Sequence, residues 1–108
     1  MVPSKMLKGI LENCILKIIS LHETYGYEIS QKLRFYGFME ISEGTIYPLL
    51  LRLEKNGLIT ATYKVSDSGP PRKYFFITES GVGELERFWE SWRELETAIN
   101  RIFEEEGK

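Results

Sequence analysis

The stretch Ile41-Ser42-Glu43-Gly44-Thr45-Ile46-Tyr47-Pro48-Leu49-Leu50-Leu51-Arg52-Leu53-Glu54-Lys55-Asn56-Gly57-Leu58 carries both ends of one helix. Ser42 stands where a serine hydroxyl can accept from the free N–H groups of a first helical turn. Ile41 and Ile46 have the spacing of a hydrophobic staple. Asn56-Gly57 reads as a stop, with Gly57 suited to the left-handed C′ position. Between these ends Ile46, Leu49, Leu50 and Leu53 recur at i, i+3, i+4 and i+7, which makes one buried stripe. At about 100° per residue, Gly44, Pro48 and Lys55 point the other way, Thr45 and Arg52 lie on one flank, and Glu43 and Tyr47 lie on the opposite one. The exposed N-terminal half therefore offers small, hydroxylated and aromatic side chains, a surface suited to a DNA groove. Pro48 lies beyond the first turn, so the bond to the Gly44 carbonyl is lost and a local distortion is predicted.

The segments on either side of this helix give it a context. Leu58 to Ser66 reads as a strand: Ile59, Ala61, Tyr63 and Val65 alternate with Thr60, Thr62, Lys64 and Ser66, the period of a half-buried strand. Asp67 to Pro71 reads as a turn, with Ser68-Gly69-Pro70-Pro71 at its tip, and Arg72 to Thr78 as a returning strand. Upstream, a first helix over residues 5–21 has an apolar face of Leu7, Ile10, Leu11, Cys14, Ile15, Ile18 and Ile19. A second runs from Thr24–Gly26 to about Tyr36 and ends at Gly37, with Ile29 and Leu33 toward the core. Helix, helix, helix, hairpin is the order of a winged helix-turn-helix, a mostly α (α+β) fold whose hairpin flanks the recognition helix.

Four linked runs carry a closer resemblance: Tyr25-Gly26-Tyr27-Glu28-Ile29; Gly44-Thr45-Ile46-Tyr47-Pro48 with Arg52-Leu53-Glu54; Pro71-Arg72-Lys73-Tyr74; and Thr78-Glu79-Ser80-Gly81. In that order, across residues 7–81, they resemble the PadR family of bacterial and archaeal transcriptional regulators. The resemblance implies DNA contacts from Ser42, Gly44, Thr45, Tyr47 and Arg52 around the groove. It implies backbone positioning by Lys5, Arg72 and Lys73, and the two wing cations stand where they can meet phosphates or enter the minor groove. Gly69-Pro70 departs from the Gly-Arg or Gly-Gly pair usual in the family, which gives a stiffer wing tip with one cation fewer. Tyr27 is read as packing rather than as a phosphate contact. Phe35, Tyr36, Phe38 and Met39 are read as a plug between the second and third helices.

Thr78 is a suitable cap for a last helix from Glu79 to about Glu105. With Val82 as heptad position a, Leu85, Trp89, Trp92, Ile99 and Phe103 fall at a or d, and Phe88, Leu95 and Ile102 at g; only Glu96 breaks the seam. So small a domain has no other helix long enough to cover that stripe, and a homodimer is the economical reading. Val82, Leu85, Trp89, Trp92, Leu95, Ile99, Ile102 and Phe103 are its expected interface. The expected organisation is a winged-helix DNA-binding domain over 1–78 and a dimerisation helix over 79–108. Glu90-Ser91-Trp92 resembles the small, single-C-terminal-helix branch of the family. In multidrug-responsive members of that branch a tryptophan here lines a dimer pore for flat hydrophobic drugs. That resemblance implies a planar hydrophobic effector at Trp92; Trp89 is not part of the match, and both indoles are otherwise interface anchors. Phe88 and Trp89 lie beside Trp92 on the same stripe, and the nearby Glu96 favours a cationic ligand.

Composition sets the outer limits. The chain has 108 residues and a net charge of −2, enough for one small domain. Residues 1–78 hold ten Lys/Arg against seven Asp/Glu, a net +3, and residues 79–108 hold four against nine, a net −5. Such asymmetry fits a nucleic-acid-binding head joined to an acidic assembly helix. Cys14 is the only cysteine, so no internal disulfide is available, and its place on an apolar face makes it a core residue. His22 has no second histidine or clustered carboxylates near it in sequence, which argues against a metal site, and no cofactor is expected. No nucleophile–base pair or phosphate loop can be assembled, so an enzyme is not expected. No leader or 18-residue apolar run is visible, which points to a cytoplasmic chain. The expected function is a dimeric repressor acting on double-stranded DNA at a pseudo-palindromic operator. A winged helix serving only as a protein-interaction module is the alternative.

Overall fold

The computed structural model describes residues 2, 4–7, 9–66 and 68–105, and of Ser4 and Lys5 it describes the backbone only. A 3-10 turn over Ser4–Leu7 precedes helices α1 (Leu11–Leu21), α2 (Gly26–Phe35) and α3 (Glu43–Lys55). Strands β1 (Ile59–Ser66) and β2 (Gly69–Ile77) come next, and helix α4 (Glu79–Glu104) ends the chain. The expected first helix over 5–21 is thus two pieces. Gly9 between them has φ +84°, a left-handed conformation that ends helical geometry and suits glycine.

Helix α1 is the centre of the domain, in contact with α2, α3, α4 and β2. Being enclosed this way buries Leu11, Ile15, Leu16, Ile18 and Ile19, including Leu16, which lies off the apolar face read from sequence. Cys14 packs at the edge of this core. Ile29 and Leu33 of α2, Ile46, Leu50 and Leu53 of α3, Ile59 of β1 and Phe75 of β2 complete it.

Helices α2 and α3 end alike. Phe38 N–H donates to Leu33 O and Gly37 N–H to Arg34 O, while Leu58 N–H donates to Leu53 O and Gly57 N–H to Glu54 O. These are paired Schellman closures, and Gly37 and Gly57 take the positive φ that such an ending requires. At the start of α3, Ser42 has the extended backbone of a cap, but its side chain makes no capping hydrogen bond. Its hydroxyl is turned instead to the Thr45 hydroxyl, 3.4 Å away. Helix α3 is continuous from Glu43 to Lys55, with Pro48 inside it. Pro48 and Gly44 both lie on the exposed side, so water can satisfy the Gly44 carbonyl that the proline leaves without a donor.

The wing is a two-stranded antiparallel ribbon with Ile59 opposite Ile77 and Lys64 opposite Arg72. Its tip is tighter than expected: Gly69, Pro70 and Pro71 belong to β2 rather than to the turn. Both strands of such a ribbon have a free edge, where prolines are tolerated. The register shifts between Lys64 and Ser66: the exposed Val65 faces both Pro70 and Pro71, so the extra residue lies on β2. At the base, Phe75 N–H donates to Thr24 O at 2.8 Å, so the entry to α2 adds a short third rung.

The expected plug of four side chains does not form within the chain. Phe35, Tyr36 and Met39 are exposed, and only Phe38 packs against the core.

Candidate nucleic-acid interface

Helix α3 divides cleanly into two faces. Ile46, Leu50 and Leu53 are buried in the core, whereas Ser42, Glu43, Gly44, Thr45 and Tyr47 are exposed along its first two turns. The first-turn N–H groups without a side-chain cap, the Ser42 and Thr45 hydroxyls and the Tyr47 ring therefore share one end of the helix. Arg52, two turns on, is also exposed, but its Nη1 lies 3.3 Å from Glu12 Oε1. That Glu12 oxygen has no aligned hydrogen-bond donor, so the pair is a charge contact between α3 and α1 and leaves other guanidinium donors free.

A notch of about 390 Å³ lies between the N-terminal ends of α2 and α3 and the middle of β2. Tyr25, Gly26, Tyr27, Tyr47, Arg72 and Lys73 are among its walls. Tyr27 is 49% exposed and its hydroxyl accepts from Gln31 Nε2, so it is a surface residue and not the packing residue expected from sequence. Arg72 stacks its guanidinium 4.5 Å from the Tyr25 ring centroid, and the Tyr25 and Tyr74 rings meet edge-on at 5.3 Å. Lys64 stands over the Tyr74 ring at 5.0 Å and pairs with Glu23.

Lys73 has a different environment from its neighbour. Its Nζ donates to Glu54 Oε1 at 3.0 Å, and its side chain retains only 20% exposure. The hydrogen bond that Lys73 donates to Glu54, helped by that carboxylate's charge, raises the lysine above its ordinary value despite the opposing effect of desolvation. Sequence reasoning pairs Arg72 with Lys73 as equivalent cations; Glu54, nineteen residues earlier, is the partner it misses. The Lys5 side chain lies outside the described residues.

The expected assembly and effector residues lie along α4. Beyond Gly81 no residue of this helix is buried. Leu85 packs against the core, Phe88 and Trp92 are half-buried, and every residue from Arg93 to Glu105 is exposed. Val82, Trp89, Leu95, Ile99, Ile102 and Phe103 are all exposed large hydrophobic residues. An apolar groove of about 630 Å³ runs where α1 and α2 meet the base of α4, with Cys14, Ile18, Leu33, Tyr36, Phe88 and Trp89 in its walls. The structure thus brings Phe88 and Trp89 together, while Trp92 and Glu96 are not part of that lining. Burial pushes the Cys14 thiol up from its ordinary value, in keeping with a core-edge residue rather than a reactive one.

A buried-backed recognition helix with a ribbon wing beside its start defines a winged helix-turn-helix protein. The chain belongs to the transcriptional regulator PadR-like family, whose model matches residues 15–87. It is accordingly a transcriptional regulator and not an enzyme. A PadR-like transcriptional regulator from Bacillus cereus strain ATCC 14579 has 53% identity and a TM-score of 0.87, covering 95% of this chain and 100% of that one. Transcriptional regulator Rv3488 of Mycobacterium tuberculosis is 36% identical over 64 residues, 59% of this chain and 58% of its own. Bacillus subtilis PadR, solved in complex with operator DNA, has 27% identity and a TM-score of 0.68 over 74% of this chain and 46% of that one. Among the described residues no helix is long and apolar enough to cross a membrane.

Proposed function

We propose that this chain is a dimeric repressor that reads a pseudo-palindromic operator and is released by a flat apolar effector. Residues 1–78 form the reading head and residues 79–108 the dimerisation helix. The observation that carries the reading is the exposed start of α3, where Ser42, Gly44, Thr45 and Tyr47 stand free while the opposite face is locked into the core. Thr45 and Tyr47 reach base edges, and Arg72, with Lys5, sits at the phosphates; Arg52 lies at the rim of the contact.

Dimerisation is supported by two unpartnered apolar surfaces on one chain. One is the outer half of α4, and the other is the groove at its base. The first is a long stripe on a molecule 63 Å in its longest dimension. A second copy covers both, and two-fold symmetry then sets the two α3 helices about one DNA turn apart. An effector between the α4 helices shifts the population away from the spacing that the operator requires.

The test is selection of duplexes from a random pool by the full-length protein, followed by titration of variants. Thr45→Ala and Tyr47→Ala should narrow the gap between selected and scrambled duplexes. Arg72→Ala should weaken both alike and reduce the log–log salt slope by about 0.9 for each phosphate it ceases to neutralise. A protein that binds no duplex even at low salt would instead be a winged-helix interaction module.

A further inference from the structure

We infer that Lys73 and Glu54 are positioning residues that clamp the wing to the recognition helix, and that Lys73 makes no phosphate contact. The inference rests on the DNA-binding reading above and assigns a role within it. Neighbouring residues on a strand point to opposite faces. Here that separates two cations that look equivalent in sequence. Arg72 is exposed and leans on Tyr25. Lys73 turns inward, 3.0 Å from Glu54 Oε1 and 5.5 Å from the ring centroid of the buried Phe75.

The position of Glu54 gives the pair its leverage. It lies in the last turn of α3 (Glu43–Lys55), directly after Leu53, which is 3% exposed and anchored in the core. The clamp therefore runs from a fixed point on the recognition helix to the middle of β2. Two residues further along β2, Phe75 N–H is held by Thr24 O. The ribbon is thus tied at alternate residues, to α3 through Lys73 and to the entry of α2 through Phe75. From Arg72 to the tip no such tie to α3 is present among the described residues. Wing angle is set at Lys73 and expressed at Arg72.

Charge points the same way. A phosphate approaching Lys73 would have to displace Glu54 and leave that carboxylate facing the phosphate. If Lys73 were nonetheless a phosphate ligand, Glu54 would be its competitor, and removing Glu54 would strengthen DNA binding. If the pair is a clamp, removing Glu54 weakens binding although the protein gains one unit of positive charge. The two readings predict opposite signs.

The experiment uses the full-length protein and a duplex that the unaltered protein selects from a random pool, with folding followed by thermal melting. Glu54→Gln should lower affinity several-fold, with the log–log salt slope unchanged. Lys73→Gln should do the same, again without a slope change, whereas Arg72→Gln should lower the slope. The swap Glu54→Lys with Lys73→Glu should recover most of the lost affinity, which neither a phosphate ligand nor a residue serving stability alone would do. Tighter or unchanged binding by Glu54→Gln overturns the inference. So does a slope reduction of about 0.9 in Lys73→Gln, or a swap no better than its worse single variant. Failure of the unaltered protein to select any duplex would overturn the DNA reading itself, and the clamp's role with it.

Discussion

Thr78 has one hydroxyl and uses it twice. Its Oγ1 donates to Gly57 O at 2.7 Å and accepts from Gly81 N–H at 3.0 Å. The first bond ties it to the ending of α3 and the second caps α4, so one residue joins the two helices. A methyl group at Gly81 would stand 2.2 Å from Leu58 O, so the backbones there approach as closely as glycine permits. Thr78→Ala should lose a cap contributing about 1 kcal/mol and a second hydrogen bond of similar size. The expected result is a urea midpoint lowered by roughly 1–2 kcal/mol in equivalent stability, with an unaltered m-value, and Thr78→Ser should recover most of it. An unchanged midpoint would mean that water replaces both bonds. Much at this scale is legible in sequence. Thr78 and Gly57 carry local rules that need only their neighbours, and both behave as expected. Ser42 and Lys73 do not, because their partners are decided by side-chain rotation and by a residue distant in sequence.

At the scale of elements, periodicity locates α2, α3, the wing and α4, although the apolar side it marks is exposed in the single chain along α4 and at Tyr63 and Val65 of the wing. It misjudges α1, where neighbours on several sides bury Leu16 and enclosure blurs a one-sided pattern. It also misses the break at Gly9, since an apolar face carried across a glycine looks continuous in one dimension. The aromatic residues after α2 read as core from their chemistry alone, yet Phe35 is 82% exposed. Helix α4 makes the element-scale prediction sharp. Ile99 and Ile102 are exposed in the single chain, so replacing both by glutamate costs the isolated fold little. In a dimer the same change buries like charges on facing helices, which is strongly unfavourable. Sedimentation should show a dimer for the unaltered protein and a folded monomer for Ile99→Glu with Ile102→Glu. A doubly substituted protein that remains a dimer would move the interface away from the outer half of α4.

The whole molecule separates its tasks by charge and by distance. A head of net +3 carries an acidic segment of net −5, in a molecule 63 Å in its longest dimension. In the proposed dimer an effector would act where the α4 helices meet, and the two indoles mark two places for it. Trp92 is half-buried at a heptad position that faces a partner, so two-fold symmetry brings it toward its own mate. If, in the proposed dimer, bulky neighbours such as Phe88 hold the helices apart, the gap between indoles becomes a slot; if the indoles pack on each other, there is none. Stacking there contributes about 0.5–1.5 kcal/mol per ring beyond area burial, and the exposed Glu96, one turn on, favours a cation. Trp89 instead lines the groove at the base of α4, with Cys14 and Ile18. Titration with a planar cationic dye should quench tryptophan fluorescence saturably. Trp92→Ala should abolish dye binding while the protein stays dimeric, and Trp89→Ala should retain it. The reverse pattern would put the ligand in the groove of each protomer, and undiminished binding by both variants would remove the indoles from the effector site. Only the slot on the two-fold axis lets one ligand meet both α4 helices at equivalent places, whereas a ligand in the groove would compete there with the second copy that the proposed dimer lays over it, and two such ligands would be needed per dimer.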